Sequence, residues 1–288
     1  MNQAVLLERE EYIEQAYLFR VMRERMAQNM PAQEVLERVD QEILASTRLP
    51  LAVQFLATEM KHSGSLASGF TKLPHYFTGF QAHVIECSES ESLRFQTETA
   101  LLLLEREAGY RAGQPTPQGL FIYQFESLSR NKLGYDQGLA RMARDPLYPP
   151  EWRHFVDELR FQVGVLDFAD IVYVRSSAHA ADQRRLDANY EPSRPVLFGD
   201  KEGRIARANM GRDPLYLFAA LQRQLGYPEV PRVRPVDSLG NTVLTLQAKL
   251  REMETRLKLL ESEVKGQIDL QQLKELGRPE LLSDAPES

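Results

Sequence analysis

Two pairs of side chains in this sequence have the spacing of metal ligands. Glu59 and His62 form one Glu-x-x-His motif, and Glu151 and His154 form a second. Residues three positions apart lie on the same face of a helix, and two such pairs with two further glutamates build the di-iron site of ferritin-like bundles. Both pairs fall in the end turns of their expected helices, whereas a bundle-core site needs ligands in the middle. A ferritin-like metalloprotein is therefore only the second alternative to the interpretation that we favour below. We predict no cofactor.

Cys87 is the only cysteine of the chain, which excludes an internal disulfide and a cysteine zinc cluster. Apolar Ile85 and acidic Glu86 and Glu89 lie beside it, and such surroundings raise the pKa of a thiol and make it a poor nucleophile. The sequence also contains no phosphate loop, dinucleotide-binding fingerprint or nucleophile elbow. We therefore favour a non-enzymatic function.

A third group of side chains could bind a polyanion. Residues 175–235 contain 11 Lys and Arg against 7 Asp and Glu, in a chain whose net charge is -6. A basic segment of this kind could contact phosphates, or form salt bridges with the acidic helices of its own chain. The candidate contacts are Arg184, Arg185, Lys201, Arg204, Arg207 and Arg212. A nucleic-acid-binding dimer that uses residues 184–212 is the first alternative interpretation.

The strongest pattern in the sequence is an apolar heptad repeat near its C-terminal end. Its spacings alternate between four and three residues, which is typical of a helix that winds around a partner helix. The seam consists of Leu239, Val243, Leu246, Leu250, Met253, Leu257, Leu260 and Val264. These residues predict oligomerisation, and a helix that folds back on its own domain is the competing interpretation.

The charges beside the seam favour a parallel dimer. Lys249 and Arg256 occupy g positions, and Glu254 and Glu261 occupy the e positions five residues later. In a parallel pair each g residue faces an e residue of the other helix, so that opposite charges meet. An antiparallel pair would bring like charges together at several positions. The seam therefore predicts a second copy of the chain as one partner. We also expect one further, unidentified protein partner.

The elements that position these residues are mostly helices. Apolar residues recur at helical spacing through the first half, and Pro31, Gly64 and Gly226 mark expected helix boundaries. Beyond residue 165 the pattern changes. The stretch Ile171–Val174 has the β-branched and aromatic residues that strands prefer, and Gly203 could take a positive φ in a hairpin between residues 195–198 and 204–207.

One pentapeptide, Arg-Asp-Pro-Leu-Tyr, occurs twice, at residues 144–148 and 212–216. Asp followed by Pro is typical of a helix start, because Asp caps the helix and Pro suits its first position. In the second copy we predict that Asp213 is the cap. In the first copy Pro149 and Pro150 interrupt the pattern, so the helix is expected to begin at about Glu151. We interpret the repeat as a folding signal used twice and not as a duplication.

We predict a mostly α fold with an N-terminal multi-helix domain, a small α+β part containing about three antiparallel strands, and a C-terminal coiled-coil helix. The expected segments are a helical domain (1–148), the α+β part (149–227), a proline-rich linker (228–238), the coiled coil (239–276) and a disordered tail (277–288). The apolar runs are too short to span a bilayer, and the first residues lack the pattern of a signal peptide. We therefore expect a cytoplasmic homodimeric adaptor or scaffold that binds a protein partner through its helical body, with no membrane contact.

Overall fold

The computed structural model describes residues 6–43, 46–90, 92–93, 95–232, 250, 253 and 256–257. The chain divides into two units, Met1–Val233 and Arg234–Ser288. In the second unit all four described residues are helical.

The first unit is mostly α-helical, as the sequence predicts. Its described residues form thirteen helices in the order α1 (Arg9–Ala27), α2 (Ala32–Val39), α3 (Leu49–Ser63), α4 (Leu66–Lys72), α5 (Gly79–Glu89), α6 (Thr97–Ala112), α7 (Pro117–Asn131), α8 (Tyr135–Met142), α9 (Pro150–Leu159), α10 (Phe168–Val174), α11 (Ser177–Leu186), α12 (Asp200–Ala208) and α13 (Pro214–Leu225).

Helix α7 forms the centre of the first unit. Every residue from Gly119 to Leu128 is buried, which is expected only of a helix that is covered on all sides. Helices α6, α8 and α13 contact it, and α1 packs along α6. The aromatic side chain of Phe121 contacts the rings of Trp152, Phe155 and Phe198, which joins α7 to α9 and to the segment before α12.

Several helices end where the sequence predicts. Gly64 follows α3 with a φ of 67°, and Gly226 follows α13 with a φ of 67°, a left-handed conformation that glycine adopts without steric cost. Pro31 directly precedes α2. Residues 79–111 contain two helices, because α5 ends at Glu89 and α6 begins at Thr97.

The predicted three-stranded sheet is not found, and the described residues contain only two isolated bridges. The strand predicted at Ile171–Val174 is part of helix α10, and the strand predicted at 204–207 is part of α12. Phe168, Ile171 and Val172 are buried at helical spacing, and the Asp167 side chain caps α10 by accepting from Ala169 N at 3.1 Å. A capped amphipathic helix thus prevails over the β preference of four residues.

Gly203 also has a different role from the one predicted. It lies within α12 rather than in a hairpin turn, and its φ is not positive. A Cβ atom on Gly203 would lie 2.1 Å from Ser176 Oγ and 2.8 Å from Ala178 Cβ. Gly203 is therefore needed for the close approach of α12 to the start of α11.

Replacement of Gly203 with alanine is expected to lower the free energy of unfolding by about 1–3 kcal/mol, because the added methyl group overpacks this contact. Gly109→Ala is the matched control, since a Cβ on Gly109 in α6 would meet no atom within 4 Å. The control should leave stability unchanged or raise it by up to about 1 kcal/mol. Urea denaturation measures both, and equal stabilities for the two variants would contradict the packing role.

The two copies of the pentapeptide serve different purposes. Asp213 caps α13 by accepting from Leu215 N at 2.9 Å, with Pro214 as the first helical residue, as predicted. In the first copy the helix α9 begins at Pro150, one residue from the predicted start. Asp145 caps no helix of the first unit but lies buried among polar side chains, where it contacts Arg111.

Residues 227–232, where the predicted linker begins, pack against α7. The Tyr227 hydroxyl donates to Glu126 Oε2 at 2.7 Å, and Asn131 Nδ2 donates to the carbonyl of Pro231 at 3.0 Å. Val230 is buried. The remainder of the predicted linker, residues 233–238, lies outside the described residues.

Candidate functional site

A cavity of about 220 Å³ opens on the surface of the first unit beside α7. Apolar side chains from α7, α8, α10, α13 and the loop between α9 and α10 form most of its lining. We call it the aromatic groove and define it by Phe125, Tyr135, Val163, Leu166, Phe168, Ile171, Pro214 and Phe218.

Stacked rings form the floor of the aromatic groove. The rings of Phe125 and Phe168 are parallel, with centroids 4.1 Å apart. Tyr135 stacks on Phe125 at 5.6 Å, and Phe218 lies 5.7 Å from Phe168. Aromatic packing of this kind is stiff, so the groove has a defined shape.

Large apolar side chains in or next to the groove-lining segments of the sequence are exposed to solvent. Phe161 and Val165 are each 80% exposed, Tyr216 is 67% exposed, and Leu166 and Leu215 are also exposed. We call these five residues the apolar rim. Single exposed apolar residues are ordinary, but several beside one cavity mark an interaction surface.

Polar contacts hold the loop between α9 and α10, which carries Phe161, Val165 and Leu166. Asp167 Oδ2 accepts from Gly211 N at 2.9 Å, which ties the loop to the segment that leads into α13. At the other end of the loop, Arg160 donates to Asp136 Oδ1 at 2.6 and 3.0 Å and ties it to α8. Both ends of this loop are therefore fixed to neighbouring parts of the first unit.

Comparison of the chain with protein-family models, curated proteins and solved structures finds no match. The site is therefore interpreted from its own geometry. Among the described residues, no helix is long and apolar enough to cross a membrane.

The basic residues predicted to contact a polyanion lie on two adjoining helices and the segment after them. Arg184 and Arg185 are on α11, Lys201, Arg204 and Arg207 are on α12, and Arg212 follows α12. All six are exposed.

Carboxylates of the same helices pair with half of these basic side chains. Arg185 and Arg207 both reach Asp182, at 3.2 and 2.7 Å, and Arg204 reaches Asp200 at 3.0 Å. The positive charge of this face is therefore partly offset. The 7 Asp and Glu among residues 175–235 indicate the same.

The four candidate metal ligands do not form a site. The Glu59 carboxylate accepts from Ser68 Oγ at 2.8 Å and pairs with Lys72 at 2.5 Å, while His154 lies 3.3 Å from Glu158. His62 and Glu151 are exposed. The described residues contain no group of three or more His, Cys, Asp or Glu side chains that could hold a metal ion.

Cys87 is buried on α5, and its thiol lies 3.5 Å from the carbonyl of Leu133. Burial, together with the negative charge of Glu86, raises the pKa of the Cys87 thiol to about 11. The raised pKa that the neighbouring residues predict is confirmed, and the thiol is protonated at neutral pH.

Three of the eight predicted seam residues are described. Leu250, Met253 and Leu257 are helical, and their exposed fractions are 58, 60 and 56%. The other five, Leu239, Val243, Leu246, Leu260 and Val264, lie outside the described residues, as does the predicted tail, residues 277–288.

A buried polar cluster was not predicted from the sequence. Arg111, only 4% exposed, donates to Glu107 Oε1 at 2.9 Å and to Asp145 Oδ1 at 3.2 Å. Gln124 donates to Glu107 at 2.8 Å and accepts from the Tyr148 hydroxyl at 2.8 Å. We call Glu107, Arg111, Gln124, Asp145 and Tyr148 the buried cluster.

The charges of the buried cluster are strongly coupled. Burial lowers the pKa of Arg111, but the carboxylates of Asp145 and Glu107 outweigh it and hold the pKa well above its ordinary value. The guanidinium therefore stays charged. In the sequence, only the i, i+4 spacing of Glu107 and Arg111 indicates that these two side chains form an ion pair. Asp145 is distant in the sequence and contacts Arg111 only in the folded chain.

Proposed function

We propose that the protein is a non-enzymatic, cytoplasmic homodimeric adaptor that binds a protein partner through the aromatic groove and the apolar rim. The observation that carries this proposal is an apolar, aromatic cavity open to the surface, together with the exposure of Phe161, Val165 and Tyr216, which lie within two residues of its lining in the sequence. Water-exposed apolar area of this kind becomes favourable when a partner covers it. The partner would insert one large apolar side chain into the groove, as amphipathic helices do in hydrophobic grooves.

Self-association is assigned to the C-terminal heptad, which would form a parallel coiled coil. The alternating four- and three-residue spacing of the seam supports this, because apolar residues at the a and d positions of a helix are buried by a partner helix. A dimer would carry two grooves and could hold a partner with two binding segments more tightly than a monomer.

The dimer is tested by light scattering with in-line size exclusion on the full chain and on a version that ends at Pro235. We expect a dimer for the full chain and a monomer for the shortened one, because the heptad lies beyond the truncation. Two monomers would contradict the coiled coil, and two dimers would place the contact in the first unit.

The groove is tested by replacing Phe161 and Val165 together with serine in the full chain. Both side chains are exposed, so we expect the melting temperature to be unchanged and partner capture to fall at least tenfold. Leu186→Ser is the matched control, since Leu186 is 84% exposed and lies on α11, away from the groove lining. Capture would be measured by quantitative affinity purification, and an equal loss in the control would contradict the groove.

Nucleic-acid binding is the second candidate function, supported by the exposure of all six basic candidates on α11, on α12 and after it. The variant with Arg204→Glu and Arg207→Glu should then lose binding to DNA and RNA, and binding by the original chain should weaken steeply with salt. Binding that persists in the variant would remove this candidate.

A further inference from the structure

A second cavity, of about 280 Å³, lies between the start of α1 and the end of α6. Its walls are largely apolar and come from the segment before α1, the loop after α6 and the loop before α9. The apolar lining residues are Leu6, Leu7, Pro115 and Leu147. A cavity of this volume has room for several non-hydrogen atoms beyond a water molecule.

Three polar side chains complete the lining, namely Arg9, Tyr12 and Arg111. The Tyr12 hydroxyl accepts from Leu7 N at 3.3 Å, and its ring lies 5.8 Å from the centre of the Arg111 guanidinium. The cavity therefore places two guanidinium groups beside an otherwise apolar space. Such a combination suits a ligand that is anionic at one end and apolar at the other.

Arg111 contributes a hydrogen-bond donor more than a net charge. Its terminal nitrogens contact Glu107 and Asp145, and these carboxylates offset its positive charge. The Nε atom of Arg111, in contrast, is buried and has no hydrogen-bond partner among the described residues. Buried donors are almost always satisfied, so an acceptor from outside the chain would complete this group.

Arg9 contributes the positive charge. Its Nε donates to the carbonyl of Ala112 at 3.0 Å, which holds the side chain across the end of α6. In the described part of the chain, no carboxylate forms a salt bridge with Arg9. Arg111 and its two carboxylates together carry one net negative charge, so Arg9 supplies the positive charge that a ligand with a single negative charge would meet.

We propose that this cavity binds a small monocarboxylate with a short apolar body. The carboxylate would lie between Arg9 and Arg111 Nε, and the apolar body would pack on the leucine and proline side chains of the walls. This site is separate from the aromatic groove and does not depend on the adaptor function.

The test is isothermal titration of the full chain with acetate, butanoate, hexanoate and, separately, inorganic phosphate. We expect affinity to rise about fourfold for each added CH₂ group until the cavity is filled. Phosphate should bind more weakly than hexanoate, since it has no apolar part. Undetectable binding of all four probes at millimolar concentration would overturn the proposal, as would phosphate binding equal to that of hexanoate.

Two variants locate the binding. Arg9→Gln should weaken hexanoate at least tenfold, whereas Arg20→Gln, a control on the same helix whose guanidinium lies over the Tyr17 ring, should have no effect. Leu147→Trp should also weaken hexanoate by filling the cavity without changing its charge. Thermal melting checks that each variant is folded. Hexanoate binding unchanged in both folded Arg9→Gln and Leu147→Trp would overturn the assignment.

Discussion

Replacement of Arg111 with methionine is expected to lower the free energy of unfolding by about 3–5 kcal/mol. The change leaves the buried carboxylates of Glu107 and Asp145 without their positive partner, while Gln124 supplies only a neutral donor. An unpaired buried charge is far more costly than a missing apolar contact. The loss is measured by urea denaturation followed by circular dichroism.

Two further variants test this reason. Arg38→Met is the matched control, because Arg38 also pairs with a carboxylate, that of Glu34, but both side chains are exposed. Its expected loss is about 0.5 kcal/mol or less. Adding Glu107→Gln and Asp145→Asn to Arg111→Met should restore much of the stability. A loss for Arg111→Met no larger than that of the control would refute the electrostatic explanation.

Replacement of Phe121 with alanine is expected to lower the free energy of unfolding by about 3–5 kcal/mol. The Phe121 ring contacts the rings of Trp152, Phe155 and Phe168 at centroid distances of 5.4, 5.3 and 6.2 Å. Its removal leaves a cavity at the centre of the first unit, because surrounding helices cannot close around it. Guanidinium denaturation gives the size of the loss.

Phe161→Ala is the control for this second variant. The residue type and the number of atoms removed are the same, but Phe161 is mostly exposed on the apolar rim. Its stability should change by no more than about 0.5 kcal/mol. Similar losses for the two variants would mean that the ring contacts of Phe121 do not determine its contribution.

Helix boundaries could be predicted from the sequence where a single residue type determines the backbone conformation. Gly64 and Gly226 end helices because they take a left-handed conformation, and Asp213 with Pro214 begins one. These signals are local, so no knowledge of the fold is required. The heptad is read in the same way, from the spacing of its apolar residues, and light scattering tests whether it forms a dimer.

The predicted sheet failed for the opposite reason. Ile171–Val174 has strand-forming residues, but Phe168, Ile171 and Val172 share a helical face that packs into the first unit. Ser176 also caps α11 by accepting from His179 N at 3.2 Å, in a stretch whose polarity resembles that of a loop. Tertiary packing decided the first case, and a short window of sequence does not contain it. The Ser176 cap, in contrast, is a local signal within residues 176–179.

The candidate sites depend still more on the fold. Phe161, Val165 and Leu166 are ordinary apolar residues in the sequence, and only the structure reveals that they stay exposed, as Tyr216 does. Likewise, Arg9 and Arg111 lie far apart along the chain and meet at one cavity.

The repeated pentapeptide will not have uniform mutational tolerance. At position 213, Asn, Ser and Thr should be accepted, because each can cap α13 as Asp213 does. At position 145 the same substitutions remove the charge that faces Arg111. The two final tyrosines differ as well, since Tyr148 is buried and bonded to Gln124, whereas Tyr216 is exposed. Five identical letters thus have unequal structural roles, so the same substitution should cost more stability at position 145 than at position 213.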